Sequence, residues 1–261
     1  LAKETPSVAN IESYAEIVKQ RSNLRRLITT VDQIAQNARE ADSSSSDQIL
    51  DNAEESIFSL RDDVKRSSGP RGIRELLGPV YTKFEESAAS GSSLVGVSTG
   101  FNEIDEITLG FQRSDLIIIA GRPSMGKTAL ALNIAENVAR ETDQTVLIFS
   151  MEMSAEQVVR RFISSIADID LQDLMRGKLT KKNWEGIDEA LSVLSTKNIL
   201  LDDTPALSPS ELRSRARRIK RVNKDLAMIV VDYIGLMQVH GKSENRVAEI
   251  SEISRSLKAL A

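Results

Sequence analysis

Over the first 68 positions apolar residues recur at helical intervals rather than in alternation. Val8, Ile11, Tyr14 and Val18 form one stripe. Leu24, Leu27, Ile28, Val31, Ile34, Ala35 and Ala38 form another at i, i+3, i+4 spacing, as an amphipathic helix requires. The polar run Asp42-Ser43-Ser44-Ser45-Ser46-Asp47 interrupts the pattern, which resumes with Ile49, Leu50, Ala53, Ile57, Leu60 and Val64. Two antiparallel helices joined by a short loop are the simplest packing of such arms. Ser67-Ser68-Gly69-Pro70 ends this region. A short amphipathic segment follows (Ile73, Leu76, Leu77, Val80, Tyr81, Phe84), and then Ser87-Ala88-Ala89-Ser90-Gly91-Ser92-Ser93, which by composition reads as a flexible linker. A helix isolated between two such joints has little of its own chain to pack on, so docking on another subunit is expected, with packing back on its own domain as the alternative.

From about Val95 the pattern changes to short apolar runs separated by helical stretches. Runs at 116–120, 145–150, 198–202 and 227–232, the first rich in β-branched residues, read as parallel strands. Ala129, Leu130, Ala131, Ile134, Ala135, Val138 and Ala139 mark a helix up to Arg140. Ser154 with Gln157, and Ser208-Pro209-Ser210-Glu211, have the form of capping boxes at helix starts. Strands alternating with helices predict an α/β fold: a parallel sheet covered on both faces, with its ligand at the carboxyl ends of the strands. The predicted organisation is a helical region over 1–68, a linker with a docking helix over 69–94, and an α/β unit over 95–261.

Between the run at 116–120 and the helix marked from Ala129 lies Gly121-Arg122-Pro123-Ser124-Met125-Gly126-Lys127-Thr128. Its spacing, G-x-x-x-x-G-K-[ST], is that of a phosphate-cradling loop. Glycines let the backbone approach a polyphosphate so that consecutive N–H groups point at the anion, and the following helix N-terminus adds its dipole. Lys127 is placed to serve the β- and γ-phosphates and the Thr128 hydroxyl to ligate Mg²⁺.

Composition narrows the rest. There is no cysteine, which removes disulfides and thiolate metal sites and suits a reducing cytosol. The single histidine, His240, leaves no basis for a histidine metal site. A formal net charge of -4 neither marks nor excludes a nucleic-acid binder. No apolar run is long enough to span a bilayer, and no signal peptide is visible. The chain starts at Leu1 and stops at Ala261 inside the helical pattern Val247, Ile250, Ile253, Leu257, Leu260, as expected of a fragment.

Asp232 ends an apolar strand, where a carboxylate either helps hold Mg²⁺ or starts a turn. Glu152 lies just past the run 145–150, taken as the strand adjacent to the phosphate loop. It reads either as the base that orients an attacking water or as a glutamate satisfying a helix N-terminus. Arg213, Arg215, Arg217, Arg218, Lys220 and Arg221 share one helix and either track a phosphate backbone or form a solvated, ion-pairing face. No aromatic residues interleave with them, so base stacking is unsupported. The lone Trp184 reads as a core anchor.

The chain resembles bacterial replicative DNA helicases of the DnaB family, RecA-like hexameric motors. The resemblance rests on Ser98-Thr99-Gly100-Phe101, Gly121 through Thr128, Ser150-Met151-Glu152-Met153-Ser154, Arg213 through Arg218, Val231-Asp232-Tyr233, Asn245-Arg246 and Glu249 through Ala261. It extends to the opening Leu1 through Ser7, similar to the family's late N-terminal domain, and to Ile73 through Leu77, similar to its linker helix. It implies a RecA-like parallel sheet with flanking helices, preceded by an α-helical hairpin and a linker helix that docks on the neighbouring subunit. It implies a cytoplasmic homohexamer that hydrolyses ATP with Mg²⁺, moves on single-stranded DNA, and has primase and a helicase loader as partners. Within it, Glu152 becomes the catalytic base, Lys127 and Thr128 serve phosphate and Mg²⁺, and Asp232 serves the metal. The family's γ-phosphate sensor, arginine finger and main DNA-gripping loops are expected beyond residue 261, so residues 1–261 alone are expected to bind nucleotide without productive hydrolysis or unwinding. Two other readings share parts of the pattern: a RecA-like recombination or repair ATPase, and a non-catalytic assembly factor that uses nucleotide as a switch.

Overall fold

Helix α1 (Ile11–Glu40) runs unbroken through most of both predicted stripes. The computed structural model describes residues 11–40, 49, 52–53, 56–57, 72–90, 94–238 and 246–261. The chain divides into two compact units, one up to Thr82 and the other from Lys83 onward. In the first, the described residues of the predicted second arm are helical. Ile34 and Asn37 of α1 line one shallow cleft together with Ile49, Asn52, Ala53 and Ser56, as a hairpin of two helices would have it. The polar break at 42–47, the rest of the second arm, the boundary at 67–70 and His240 lie outside the described residues.

Helix α2 (Ile73–Ser90) is longer than its apolar pattern predicted. It runs through the segment from Ser87 to Ser90 that composition assigned to a flexible linker. Ala88 and Ala89 are strong helix formers, and only Gly91 after them is a breaker. Ile73, Leu77, Val80, Tyr81 and Phe84 are all exposed.

The second unit is built on a parallel sheet of order β2-β1-β3, where β1 is Thr145–Ser150, β2 Ile199–Asp202 and β3 Leu226–Asp232. Register pairs Val146 with Ile199 and Met228, and Ser150 with Asp232. Every residue of the central strand β1 is buried, and its side chains alternate between two cores. Val146 and Ile148 pack with Leu132, Ala135 and Val138 of α4 (Lys127–Glu141) and with Val158 and Phe162 of α5 (Ala155–Ile166). Leu147 and Phe149 pack with Leu212 and Ala216 of α8 (Pro209–Val222) and with Ile253 and Leu257 of α9 (Arg246–Leu260). The predicted parallel sheet with helices on both faces is therefore present.

The remaining helices are α3 (Asn102–Thr108), α6 (Leu171–Arg176) and α7 (Lys181–Thr196). Both predicted capping boxes form, Ser154 with Gln157 and Ser208 with Glu211, the latter with Pro209 at the helix start. A third, Thr180 with Asn183, opens α7.

Two expectations fail. The run 116–120 forms no regular element and joins no ladder among the described residues. Leu116 and Ile119 rest against opposite cores while Ile117 and Ile118 are exposed. Apolar β-branched residues favour extended backbone, but a strand also needs a neighbour about 4.8 Å away to take its hydrogen bonds. Trp184 is no core anchor: it is 56% exposed on α7, whose buried face is carried by Ile187 and Ala190. Ala190 lies six positions on, about 120° round the helix axis from Trp184.

Candidate nucleotide site

The turn from Gly121 to Gly126 leaves all six residues exposed. Within it the Met125 N–H donates to the Arg122 carbonyl at 3.2 Å. Ser124 and Gly126 both take left-handed backbone, with φ of 65° and 84°. Gly126 is where the loop becomes helix, and its positive φ is the conformation that glycine adopts without penalty. Gly121 is different: a Cβ there would meet only the Met125 Cβ, at 3.8 Å, so the glycine requirement rests on the second of the pair.

Helix α4 begins at Lys127 with no side chain capping it, in contrast to the boxes that close α5, α7 and α8. Its first backbone bond runs from the Leu130 N–H to the Gly126 carbonyl at 2.9 Å, so the N–H groups of the first turn face the loop. An uncapped N-terminus with a left-handed glycine before it is suited to hold an anion.

Two side chains of this turn reach across the fold to the end of β3. The Thr128 hydroxyl donates to Asp232 Oδ2 at 2.8 Å. Lys127 Nζ lies 3.6 Å from Asp232 Oδ1 and 4.2 Å from the centroid of the Tyr233 ring. The Asp232 side chain is 8% exposed and that of Lys127 28%. Asp232 is delivered here because β3 runs parallel to β1 and both end at the same edge, Ser150 opposite Asp232. The Met151 N–H donates to the Asp232 carbonyl at 2.8 Å, extending the pairing one residue past β1.

Glu152 follows directly, at the same sheet edge. The strand that carries it neighbours β2 and β3, not the 116–120 segment, which corrects the expectation that it lies on the strand adjacent to the phosphate loop. Its carboxylate is exposed, with no hydrogen bond or ion pair among the described residues. The backbone after it is fixed by Ser150 Oγ, which donates to the Met153 carbonyl at 2.7 Å, and by the Ser154 cap.

The basic helix α8 is engaged from within. Arg213 donates to Ser256 Oγ of α9 at 2.6 Å, and Lys220 to the carbonyls of Lys224 and Leu226. Arg215 bonds both Asp202 oxygens, at 3.0 and 2.8 Å, and Thr204 Oγ1 at 2.7 Å. Burial alone would raise the Asp202 pKa, but Arg215 and Thr204 outweigh it and hold the carboxyl below its ordinary range. Three members of the cluster thus act as structural donors.

A second buried carboxylate supports α4 from below. Asp105, 7% exposed, accepts from the Thr99 N–H, the Thr99 hydroxyl and the Ser98 hydroxyl, each at 2.9 Å. Asn137 of α4 in turn donates to the Thr99 carbonyl at 3.0 Å. Burial again pushes the Asp105 carboxyl up, and the hydrogen bonds from Thr99, Ser98 and Gly100 more than reverse it. Sequence reasoning named Ser98 to Phe101 only as a likeness. It gave Asp105 no role and Tyr233 none beyond that likeness, since an aspartate seven residues from a serine and a tyrosine after a strand give no signal until folded.

Residues 96–261 match the model of the DnaB-like helicase C terminal domain. The whole chain is 46% identical to replicative DNA helicase DnaB of Geobacillus stearothermophilus and 44% identical to replicative DNA helicase DnaC of Bacillus subtilis, in each case covering 57% of the relative. The chain therefore spans about half the length of the curated relatives it matches. Among solved structures, it is similar to a DnaB-like replicative helicase studied for its interactions with primase. That likeness has a TM-score of 0.75 at 27% identity, over 99% of this chain and 59% of the other. It is also similar to a separately solved ATPase domain, with a TM-score of 0.67 at 32% identity over 74% of this chain and 67% of that one. With the phosphate loop, the Thr128–Asp232 contact and the parallel sheet in place, these matches show that the chain belongs to the DnaB-like helicase family, through its C-terminal domain.

Proposed function

We propose that residues 121–128 bind ATP and that the chain is part of an ATP-hydrolysing replicative DNA helicase. The observation that carries this reading is the contact between the Thr128 hydroxyl and Asp232, residues 104 positions apart, at the uncapped start of α4. The loop N–H groups and Lys127 would hold the β- and γ-phosphates. Thr128 and Asp232 offer a hydroxyl and a carboxylate oxygen side by side, hard donors that suit Mg²⁺. That ion takes one or two protein oxygens and completes its shell with phosphate and water. Among the described residues no group of three or more His, Cys, Asp or Glu could hold a metal by itself. A bound Mg²⁺ would supply neutralisation of phosphate charge. Glu152, free of partners among the described residues and at the same edge, is the residue proposed to take the proton from the attacking water.

The division into a helical collar over 1–68, a linker helix region over 69–94 and a motor unit over 95–261 belongs to the same reading. So do a homohexameric ring, single-stranded DNA as the track, primase and a helicase loader as partners, and a cytoplasmic setting. Among the described residues no helix is long and apolar enough to cross a membrane.

The test pairs Mg·ATP binding with turnover in a protein carrying this chain. Glu152→Gln is expected to keep ATP affinity and to lower hydrolysis by about 10²–10⁴-fold, the usual contribution of a general base. Unchanged turnover would remove Glu152 from the mechanism, and a folded chain without affinity for Mg·ATP would overturn the whole reading.

A further inference from the structure

Lys127 is held by more than its carboxylate partner. Its Nζ stands 4.2 Å from the centroid of the Tyr233 ring, within the range where a cation is drawn to the face of an aromatic. The ring's place is prepared by the backbone that follows. A Cβ on Gly235 would come within 2.4 Å of the Tyr233 Cε2 and 2.9 Å of its Cδ2, so only glycine at 235 admits the ring where it lies. The Gly235 carbonyl is in turn bonded by the Arg246 guanidinium at the start of α9, and Arg246 is paired with Glu249. The short 3₁₀ turn Ile234–Leu236 thus keeps the ring close to the ammonium.

We infer that Tyr233 is a positioning residue, whose ring, seated over Gly235, sets the Lys127 ammonium for the distal phosphates of a bound nucleotide. This rests on the nucleotide-site reading above. Lysine has three N–H donors on a flexible stem that loses rotamer entropy when fixed. Asp232 occupies one direction and the ring face another, which restricts the stem and leaves donor capacity for phosphate. Ordering the side chain before the ligand arrives removes part of the cost of binding. A phenyl ring serves as well as a phenol, because the attraction is to the face and not to the hydroxyl.

Equilibrium binding of ATP, ADP and AMP to the 261-residue chain, with Tyr233→Leu, Tyr233→Phe and Gly235→Ala variants checked for unchanged melting, tests the inference. Tyr233→Leu is expected to weaken ATP about two- to five-fold, the range of an exposed cation–π contact. AMP, which lacks the distal phosphates, should be unaffected. Tyr233→Phe should bind as the parent does, and Gly235→Ala, which displaces the ring, should follow Tyr233→Leu. In a Lys127→Ala background Tyr233→Leu should add nothing, since the ring acts through the lysine. Equal losses for ATP and AMP, a loss that persists without Lys127, or unchanged or tighter ATP binding by Tyr233→Leu would each overturn it. Should Gly235→Ala fold poorly, Tyr233→Leu and its cycle with Lys127→Ala decide. Absence of ATP binding by the parent chain would instead strike the nucleotide-site reading itself.

Discussion

Replacing Asp105 with Asn tests whether the buried carboxylate beneath α4 is what holds Ser98 and Thr99 in place. The two side chains have nearly the same shape, so the change removes charge and one acceptor without opening a cavity. Three donors converge on the carboxylate at 2.9 Å: the Thr99 N–H, the Thr99 hydroxyl and the Ser98 hydroxyl. A hydrogen bond to a charged group contributes about 1.5–3 kcal/mol, against about 1 kcal/mol for a neutral one. Losing the charge therefore costs about 0.5–2 kcal/mol for each donor. Over three donors the expected loss is about 1.5–6 kcal/mol, or very roughly 3–24 °C in Tm for a unit of this size. The pH dependence gives an independent check. Because the folded carboxyl titrates below its ordinary range, its contribution is complete above the unfolded pKa of about 3.9 and fades as pH falls through the lower folded value. Urea unfolding of both forms at pH 7 and at several values below 4 should show a gap that is wide at neutrality and narrows in acid. A variant within about 0.5 kcal/mol of the parent at pH 7, the scatter of ordinary surface substitutions, would refute the argument.

Gly100→Ala should also loosen this corner, by about 2–4 kcal/mol in urea unfolding, because it adds steric conflict to left-handed strain. The residue sits at φ 75° and a Cβ would lie 2.2 Å from Asn137 Nδ2. Gly126→Ala, at φ 84° with nothing within 4 Å, should cost only the backbone term of about 1–2 kcal/mol, and a larger loss would mean that the loop is more crowded than its geometry says. Arg215→Met strands the Asp202 carboxylate, whose side chain is 19% exposed, at an expected cost of about 1–3 kcal/mol at pH 7. Since Arg215 keeps Asp202 ionised, that cost should shrink as pH falls below the ordinary carboxylate range, and a pH-independent cost would count against the pair.

Much of the site was legible before folding because its signals are local. The spacing from Gly121 to Thr128 specifies a turn, an uncapped helix start and two side chains within a single stretch of backbone. The boxes at Ser154 and Ser208 are equally short-range, and each closes within three residues. Helical periodicity found α4 and α9, and apolar runs found β1, β2 and β3, because those patterns repeat what burial on one or two faces requires.

What needed the tertiary structure is whatever depends on a neighbour distant in sequence. The run at 116–120 has the composition of a strand, yet strand formation depends on a hydrogen-bonding partner that composition does not name. Trp184 has the size of a core anchor, but the facing of α7 leaves it outside. The parallel pairing that sets Ser150 opposite Asp232 comes from sheet order alone. The Tyr233 ring beside Lys127 and the Asp105 carboxylate under Thr99 are likewise invisible in a one-dimensional pattern. The sequence by itself determined the elements and the phosphate loop, since their causes act over a few residues. Sheet order, side-chain facing and the partners of Lys127 and Asp105 were decided only when the chain closed on itself, because such contacts join groups that no local spacing relates.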